Sequence, residues 1–409
     1  MTERKSVLKS MNVNTISAGV LAAIFGCTGP ALIVMGGAQN GGLTEVQTIS
    51  WLFAIYFFGG LLGIILSIRY RQPIAGAYTI PGAVLVAGAL SNYSLNEAAG
   101  AYLVTGLIVF VLGISGLISK VMNWIPVPIV MAMIAGAMIS FGTDMILSIE
   151  EAPLIAGSAI LVYLLSSVLI KKLPPILPAF MVAAILAVSM NQFVMGDMEP
   201  SFIVPQLVLP VFSLDAIISI SIPLAILVIG AENAQATGVL ITQGYKPPVT
   251  AMTLLSGIGG MITSFFGGHN ANVAGPMTAI CASEEAGRDK QARYSSVFVN
   301  GVIFAAFGLF AGIAVPFVTA MPGVLIGTIA GLAMIGVLLN SLQSAFSKTK
   351  FQIGSFFALI IGISEINFLD ISSPFWAIIG GVIVSLIMER KDFRIIKEKR
   401  TREQQIEPA

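Results

Sequence analysis

Residues 73–90 read PIAGAYTIPGAVLVAGAL, and this apolar stretch decides the fold because it is too short to cross a bilayer as one helix. It begins with Gly, Ala and Pro residues that favour extended backbone. After Pro81 and Gly82 it becomes helical, since a proline in the first turn loses no hydrogen bond. From Gly82 to Leu90 the helix measures roughly 13 Å, about half of the hydrocarbon core. The stretch therefore predicts a broken membrane segment whose half-helix begins near the midplane.

A second stretch with the same pattern lies in the other half of the chain. Residues 267–283 read GGHNANVAGPMTAICAS, and Gly275-Pro276 takes the place of the first pair. The two stretches are the third and tenth of about fourteen apolar segments, so each is third in a set of seven. Because seven is odd, the two sets have opposite orientation, which is the signature of an inverted repeat. Two half-helix N-termini would then face one point, where their N–H groups favour an anionic or hydrogen-bond-accepting substrate.

The composition of the whole chain is that of a helical membrane protein. Its 409 residues are 56% hydrophobic and 10% charged, with a mean hydropathy of +0.93, whereas soluble proteins carry about 25% charged residues. The lipid bilayer is therefore its expected surroundings. A net charge of +1 gives no case for nucleic-acid binding. No nucleophile–base pair, metal-ligand cluster or phosphate loop is evident, so we expect no enzyme activity, no metal and no cofactor.

The charges give the expected topology. Basic residues lie at the two ends and in connectors that follow even-numbered segments, whereas the opposite connectors carry only acids. The positive-inside rule then places both termini in the cytoplasm of an inner-membrane or plasma-membrane protein. The fold class is therefore an all-α polytopic membrane protein of about fourteen segments, arranged as two inverted repeats of seven. The predicted segments lie near residues 16–36, 48–68, 75–90, 98–118, 126–141, 154–170, 176–190, 217–242, 249–266, 273–286, 295–316, 323–339, 351–363 and 374–388.

Glu232 is the only acidic residue deep inside a long apolar stretch, residues 217–243. A carboxylate at that depth costs on the order of 2–3 kcal/mol by insertion scales, so a chain keeps it when it protonates, pairs or binds. We expect Glu232 to carry a coupling proton, neutral when desolvated and charged when open to water. It could instead accept a hydrogen bond from a substrate N–H, or be a structural carboxyl bonded to a neighbouring helix. With an anionic substrate, binding one proton at Glu232 would remove the repulsion and couple the two fluxes.

Four stretches of this chain resemble the benzoate:proton symporter family, often called BenE. They are GLTEVQTISW at 42–51, LSIRYRQPIAGAYTIPGA at 66–83, ENAQATGVLITQGYKPP at 232–248 and FGGHNANVAGPMTAICASEEA at 266–286. The fourth is the most specific. The resemblance implies a fold related to the nucleobase and sulfate transporters, in which a core domain moves against a gate domain, often within a homodimer.

The same resemblance implies the domain boundaries. The core would comprise residues 1–120, holding segments one to four, and residues 213–316, holding segments eight to eleven. The gate would comprise residues 121–212 and 317–389, with segments five to seven and twelve to fourteen, and residues 390–409 would form a cytoplasmic tail. The substrate would lie between segments three and ten, facing the eighth and the first.

The candidate substrate-binding residues lie in segments one, three, eight and ten. Tyr78 could stack on an aromatic ring or simply pack, and Asn233 could bind substrate or join two helices. His269, the only histidine, is expected to make a structural loop contact, with a proton relay as the alternative. The whole candidate set is Thr28, Tyr78, Thr79, Ile80, Gly82, Glu232, Asn233, Asn272, Val273, Ala274 and Gly275.

Two departures from the family pattern bear on the substrate. The family usually has Trp-Ser-Thr before the Pro-Gly of segment three, where this chain has Tyr78-Thr79-Ile80, and a Gln-Asn pair where it has Glu232-Asn233. Nucleobase carriers place a Glu at that point. The leading hypothesis is a proton-coupled symporter of a small aromatic or organic carboxylate such as benzoate. The alternatives are a uracil- or xanthine-type nucleobase symporter and, from another class, a channel-like anion conductor or a non-transporting membrane protein.

Overall fold

The computed structural model describes residues 7–27, 29–116, 126–169, 175–193, 204–347, 349–364, 366, 368 and 373–393. These residues form helices and a single two-stranded sheet within the described ranges. The helices are α1 (Val7–Ser10), α2 (Val13–Cys27), α3 (Gly29–Asn40), α4 (Glu45–Tyr70), α5 (Ile80–Ala89), α6 (Leu95–Ser115), α7 (Val127–Glu151), α8 (Pro153–Leu169), α9 (Ile176–Ser189), α10 (Leu214–Ile241), α11 (Val249–Ser264), α12 (Gly275–Ala282), α13 (Tyr294–Leu309), α14 (Ala311–Thr319), α15 (Gly323–Phe346), α16 (Gln352–Ile363) and α17 (Ser373–Met388).

Many of these helices are apolar enough for a bilayer. Among the described residues, six helical runs have the length and composition to cross a membrane, and shorter apolar helices accompany them. The six runs are Val13–Asn40, Glu45–Tyr70, Leu95–Ser115, Val127–Glu151, Leu214–Ile241 and Gly323–Phe346. The chain is a multi-pass membrane protein.

Tight polar turns start the helices that follow them. The Thr44 hydroxyl accepts the Gln47 N–H at 3.3 Å, and the Gln47 side chain accepts the Thr44 N–H at 2.9 Å. Ser94 and Glu97 form the same reciprocal arrangement at the start of α6. Each capping box satisfies two N–H groups that a helix start leaves unpaired. The turns between apolar segments thus fix where α4 and α6 begin.

The two broken segments meet in the middle of the fold. Strand β1 (Gly76–Ala77) pairs with strand β2 (Asn272–Val273) in antiparallel register, with Gly76 opposite Val273. Each strand leads directly into a short helix, β1 into α5 and β2 into α12. Both stretches are extended first and helical afterwards, and in both a proline lies in the first helical turn. The pairing brings the beginnings of α5 and α12 together.

The helices pack into two groups. One contains α2, α4, α5, α6 and α10 to α13; the other contains α7 to α9 and α15 to α17. In the first group α4 packs closely against β1, because a Cβ on Gly63 would lie 2.5 Å from the Gly76 nitrogen. Helices α3 and α5 contact α15 and α7 of the second group. The half-helices therefore lie at the boundary between the groups.

The largest differences between the predicted segments and the observed helices are in the fifth, the eleventh and the twelfth, whose helix α15 continues to Phe346 instead of ending at residue 339. The fifth was expected to end at residue 141, but α7 continues to Glu151, because acidic residues lower hydropathy without breaking a helix and only Pro153 ends the run. The eleventh was expected as one segment over 295–316, but α13 ends at Leu309 and α14 begins at Ala311. Just before that break Gly308 packs against the α4 backbone, a tertiary contact that hydropathy does not record.

Candidate functional site

A cavity of about 200 Å³ lies where the half-helices face the second group of helices. One wall comes from α2, α5, α10 and α12, and the opposite wall from α7 and α15. Its lining combines apolar side chains with a few polar ones. Its lining residues are Phe25, Ile80, Pro81, Met131, Ile134, Ala231, Glu232, Gln235, Pro276, Ala333, Gly336, Asn340 and Ser341.

Glu232 connects this cavity to both half-helices. It lies in a wider π-helical turn of α10, Leu227–Asn233, and its side chain is only 3% exposed. The Gly275 N–H, at the start of α12, donates to its Oε2 at 3.0 Å. The Ile80 N–H at the start of α5 and the Thr79 hydroxyl also interact with the same carboxyl. The carboxyl therefore lies between the two helix N-termini, whose partial positive charge favours an anion.

Thr79 forms the start of α5. Its hydroxyl oxygen accepts the Gly82 N–H at 3.2 Å, which is the usual bond of an N-cap residue. Its carbonyl accepts the Ala83 N–H at 2.9 Å. The imidazole of His269, fully buried beside it, lies with Nε2 3.2 Å from that same carbonyl oxygen. Thr79 is thereby held on both sides, by its own helix and by the entry to segment ten.

Tyr78 faces other aromatic side chains rather than the cavity. The Tyr56 hydroxyl donates to the Gly26 carbonyl at 2.6 Å, so the Tyr78 hydroxyl, 2.8 Å away, donates to Tyr56. The two rings meet edge to face at 5.2 Å. These bonds join segments one, two and three within the core, and packing is the role the structure gives to Tyr78.

Asn233 and Asn272 lie behind the cavity. The Asn233 amide donates to Thr253 at 3.4 Å and accepts from Ser256 at 3.2 Å, so it joins α10 to α11. The Ser256 hydroxyl also accepts the Val273 N–H at 3.2 Å. Asn272 is fully buried, and neither polar atom of its side chain has a partner among the residues described.

A sequence profile described as "BenE: Benzoate membrane transport protein" matches residues 9–387. The chain belongs to the BenE family. It is 28% identical over 389 residues to the benzoate membrane transport protein of Acinetobacter baylyi, covering 94% of this chain and 97% of that protein. It is also 28% identical over 383 residues to the inner membrane protein YdcO of Escherichia coli, covering 93% and 98%. The resemblance recognised in the four stretches is thus confirmed.

Solved structures show that this BenE chain shares its fold with anion transporters. The transmembrane domain of the cyanobacterial bicarbonate transporter BicA superposes with a TM-score of 0.61 at 15% identity, covering 90% of this chain and 96% of that one. The murine Solute Carrier 26 family member A9 anion transporter, in its inward-facing state, gives 0.58 at 16% identity, covering 92% and 68%. Both matches therefore bear on the fold.

A larger cavity of about 490 Å³ follows the first one along α5, α7 and α15 of the BenE chain. On α5 it begins at Val84, beyond Ile80 and Pro81 of the smaller cavity. On α15 it is lined from Gly323 to Ala330, whereas the smaller cavity begins at Ala333. The two cavities thus lie one after the other along the boundary between the helix groups.

The candidate residues divide into three sets in this BenE structure. Ile80 and Glu232 line the smaller cavity, the Gly275 N–H donates to the Glu232 carboxyl, and Thr79 interacts with that carboxyl. Thr28 lies outside the described residues. The others pack around the site without lining that cavity: Tyr78, Gly82, Asn233, Asn272, Val273 and Ala274.

Sequence reasoning did not select the wall of the site that α7 and α15 provide. Met131, Ile134 and Ala333 are ordinary apolar residues in apolar helices, so no pattern marks them. Asn340 and Ser341 are adjacent polar residues directly after a long apolar run, and that signal could have found them. Among the described residues no group of His, Cys, Asp and Glu has the arrangement of a metal site.

Proposed function

We propose that this chain is a secondary active transporter that carries a small aromatic or organic carboxylate, such as benzoate, together with a proton. The observation behind the proposal is the Glu232 carboxyl, which lies between two half-helix N-termini and lines a cavity of about 200 Å³. The cavity's apolar walls at Phe25, Met131 and Ile134 provide the surface that an aromatic ring would pack against. The Acinetobacter relative is a benzoate membrane transport protein, which favours the same substrate class.

The proposed proton coupling is supported by the N–H donors that the Glu232 carboxyl occupies. An ionised Glu232 takes the N–H donors that a substrate carboxylate would need, and two carboxylates at one point repel each other. A proton on Glu232 removes that charge and weakens its bond to Gly275. The substrate carboxylate can then bind to the freed donors, so that proton and substrate enter together.

Alternating access would use the boundary between the two helix groups. In this proposal the core (1–120 and 213–316) moves against the gate (121–212 and 317–389), and the two successive cavities open in turn. The antiparallel pairing of β1 with β2 supports an arrangement of two inverted repeats of seven segments. Cytoplasmic termini and a homodimer complete the proposal.

Radiolabelled benzoate uptake into proteoliposomes, with and without an inward proton gradient, tests this function. Glu232→Gln should abolish gradient-driven accumulation and keep benzoate exchange, because the amide can neither release nor bind the proton. Glu150→Gln removes an equal charge at an exposed position and should behave as the native chain does. If the native chain accumulates no aromatic acid, the proposed function is wrong. If Glu232→Gln changes nothing, a channel or a non-transporting role gains support.

A nucleobase is the second candidate substrate, and one observation favours it. Glu232 and Gln235 line the same cavity, so a carboxyl and an amide could pair with the N–H and C=O groups of a pyrimidine or purine edge. Uracil and xanthine therefore belong in the same uptake panel. Uptake of either one, with benzoate excluded, would replace the leading proposal.

A further inference from the structure

His269 connects three segments of the core through its two ring nitrogens. The Trp51 indole N–H, from α4, lies 3.0 Å from Nδ1, and Nε2 lies 3.2 Å from the Thr79 carbonyl oxygen. An indole N–H can only donate, so Nδ1 accepts, and Nε2 must carry the hydrogen that is donated to Thr79. The partners of the ring therefore fix one tautomer. Both nitrogens are engaged, and the side chain is fully buried.

The surroundings of His269 hold the ring in place and keep it away from the cavity. Its ring meets Trp51 edge to face at 5.9 Å and Tyr78 edge to face at 5.5 Å. It does not belong to the lining of the smaller cavity. Contact with the substrate in that cavity is therefore not its role, and the geometry favours support of a neighbour.

That neighbour is Thr79, which reaches Glu232. The Thr79 hydroxyl interacts with the Glu232 carboxyl, and its oxygen accepts the Gly82 N–H at 3.2 Å. The peptide carbonyl of Thr79 sets the rotation of the chain at the start of α5, and His269 is the partner of that carbonyl from outside segment three. Loss of this bond would let the start of α5 rotate, and both the hydroxyl and the Ile80 N–H would turn with it.

We propose that His269 is a positioning residue for transport, which acts through Thr79 to aim the donors of the α5 N-terminus at a bound carboxylate. That carboxylate is Glu232 in this structure and the substrate in the proposed transport cycle, so the inference rests on the proposed function. The Trp51 N–H, in turn, keeps the imidazole in the tautomer that donates to Thr79.

Two amide substitutions distinguish the hydrogen bond that His269 accepts from Trp51 from the one that it donates to Thr79. In His269→Gln the longer side chain places its amide near the position of Nε2 and can still donate to Thr79. In His269→Asn the shorter side chain reaches only the position of Nδ1, so it can accept from Trp51 but not donate to Thr79. Both variants lose the ring, and we expect similar losses in melting temperature.

Benzoate affinity of the purified full-length chain, measured by calorimetry, is the readout. We expect His269→Asn to weaken binding about tenfold, as for the loss of one charge-directed donor, and His269→Gln to stay within about twofold of the native chain. Uptake should show the same split, with a raised KM and little change in kcat. Equal affinities in the two variants would show a merely structural role and overturn the inference.

A double-substitution cycle gives the second test. Thr79→Val removes the hydroxyl and keeps the side-chain shape, so His269→Asn should weaken benzoate binding little further in that background. Fully additive losses would mean that His269 does not act through Thr79. If His269→Asn does not fold, Trp51→Phe replaces it in the cycle, with the same expected non-additivity. Absence of benzoate binding by the native chain would instead count against the proposed function.

Discussion

At the scale of single residues, Glu232 contributes to the site in two ways. It lines the cavity, and it also satisfies the N–H groups of a helix start that an anionic substrate would use. Within the described ranges, the groups that act on the carboxyl are N–H and O–H groups of Gly275, Ile80 and Thr79, and none is a basic side chain. A buried carboxylate without a basic partner is stabilised by oriented N–H and O–H donors. Any group that competes for those donors therefore competes with Glu232.

Glu232→Asp tests whether this competition, rather than charge repulsion alone, makes binding depend on protons. Aspartate keeps the charge but is shorter by about 1.5 Å, so its carboxyl falls short of the Gly275 N–H. At alkaline pH we expect Glu232→Asp to bind benzoate roughly tenfold more tightly than the native chain, because a charge-assisted bond no longer has to be displaced. Calorimetry across pH measures this difference. Equal, weak binding by both proteins at alkaline pH would leave repulsion as the explanation.

The sequence identifies some residues of the site and gives no sign of others. Glu232 stands out because a charge in an apolar run is costly, and Thr79 and Gly275 follow from the two Pro/Gly pairs. Nothing in the sequence separates Tyr78, which packs away from the cavity, from Ile80, which lines it. The direction of a side chain depends on the strand pairing and on the helix start, and neither can be read from residue types. The same limit applies to His269, whose Trp51 partner is 218 positions away.

At the scale of elements, glycines allow β1 to lie directly against α4. A Cβ on Gly63 would come within 2.5 Å of the Gly76 nitrogen, and a Cβ on Gly59 would lie 2.6 Å from the Ala77 carbonyl oxygen. These contacts are with backbone, which cannot rotate away as a side chain can. Because α4 has no side chain at Gly59 or Gly63, β1 can lie against its backbone. The position of β1 in turn sets where α5 begins.

Gly63→Ala should consequently destabilise the protein and disturb the site together. Overpacking against backbone costs about 1–3 kcal/mol, so we expect a melting temperature several degrees lower and weaker benzoate binding. Gly238→Ala is the matched control, since a Cβ there meets open space within an exposed part of α10. The control should be neutral or slightly stabilising, because alanine favours helix. Equal melting temperatures for the two variants would contradict the close packing of α4 on β1.

Element boundaries follow the sequence where chemistry marks them. The Pro/Gly pairs predict both broken segments, and the starts of α4 and α6 have capping boxes in the sequence. The extra length of α7 and the break after α13 have no such mark. Acidic residues at the end of α7 resemble a connector by hydropathy, yet helix propensity lets them continue the helix. Tertiary contacts decide these cases.

At the scale of the whole molecule, only the family resemblance predicted a boundary between two groups of helices. Most of the residues that α7 and α15 contribute to the smaller cavity are apolar, and their role arises when these helices pack against the half-helices. Helices α5, α7 and α15 line both cavities, the smaller one near Ile134 and Ala333 and the larger one near Ala137 and Ala330. About one helical turn separates the two cavities, so in the proposed transport cycle a movement of one group relative to the other would change access to the site.

Single cysteines in the two cavities test this motion. Asn340 lines the smaller cavity and Asn92 the larger one, and both side chains are exposed. Asn340→Cys and Asn92→Cys should react with a charged maleimide from opposite sides of the membrane. Benzoate with a proton gradient should raise the labelling rate of one and lower that of the other, because a shared boundary cannot open fully at both ends. Native Cys27 and Cys281 are more enclosed, and the unsubstituted chain measures their background. Labelling of both cysteines from the same side, or rates that rise together, would rule out alternating access along this boundary.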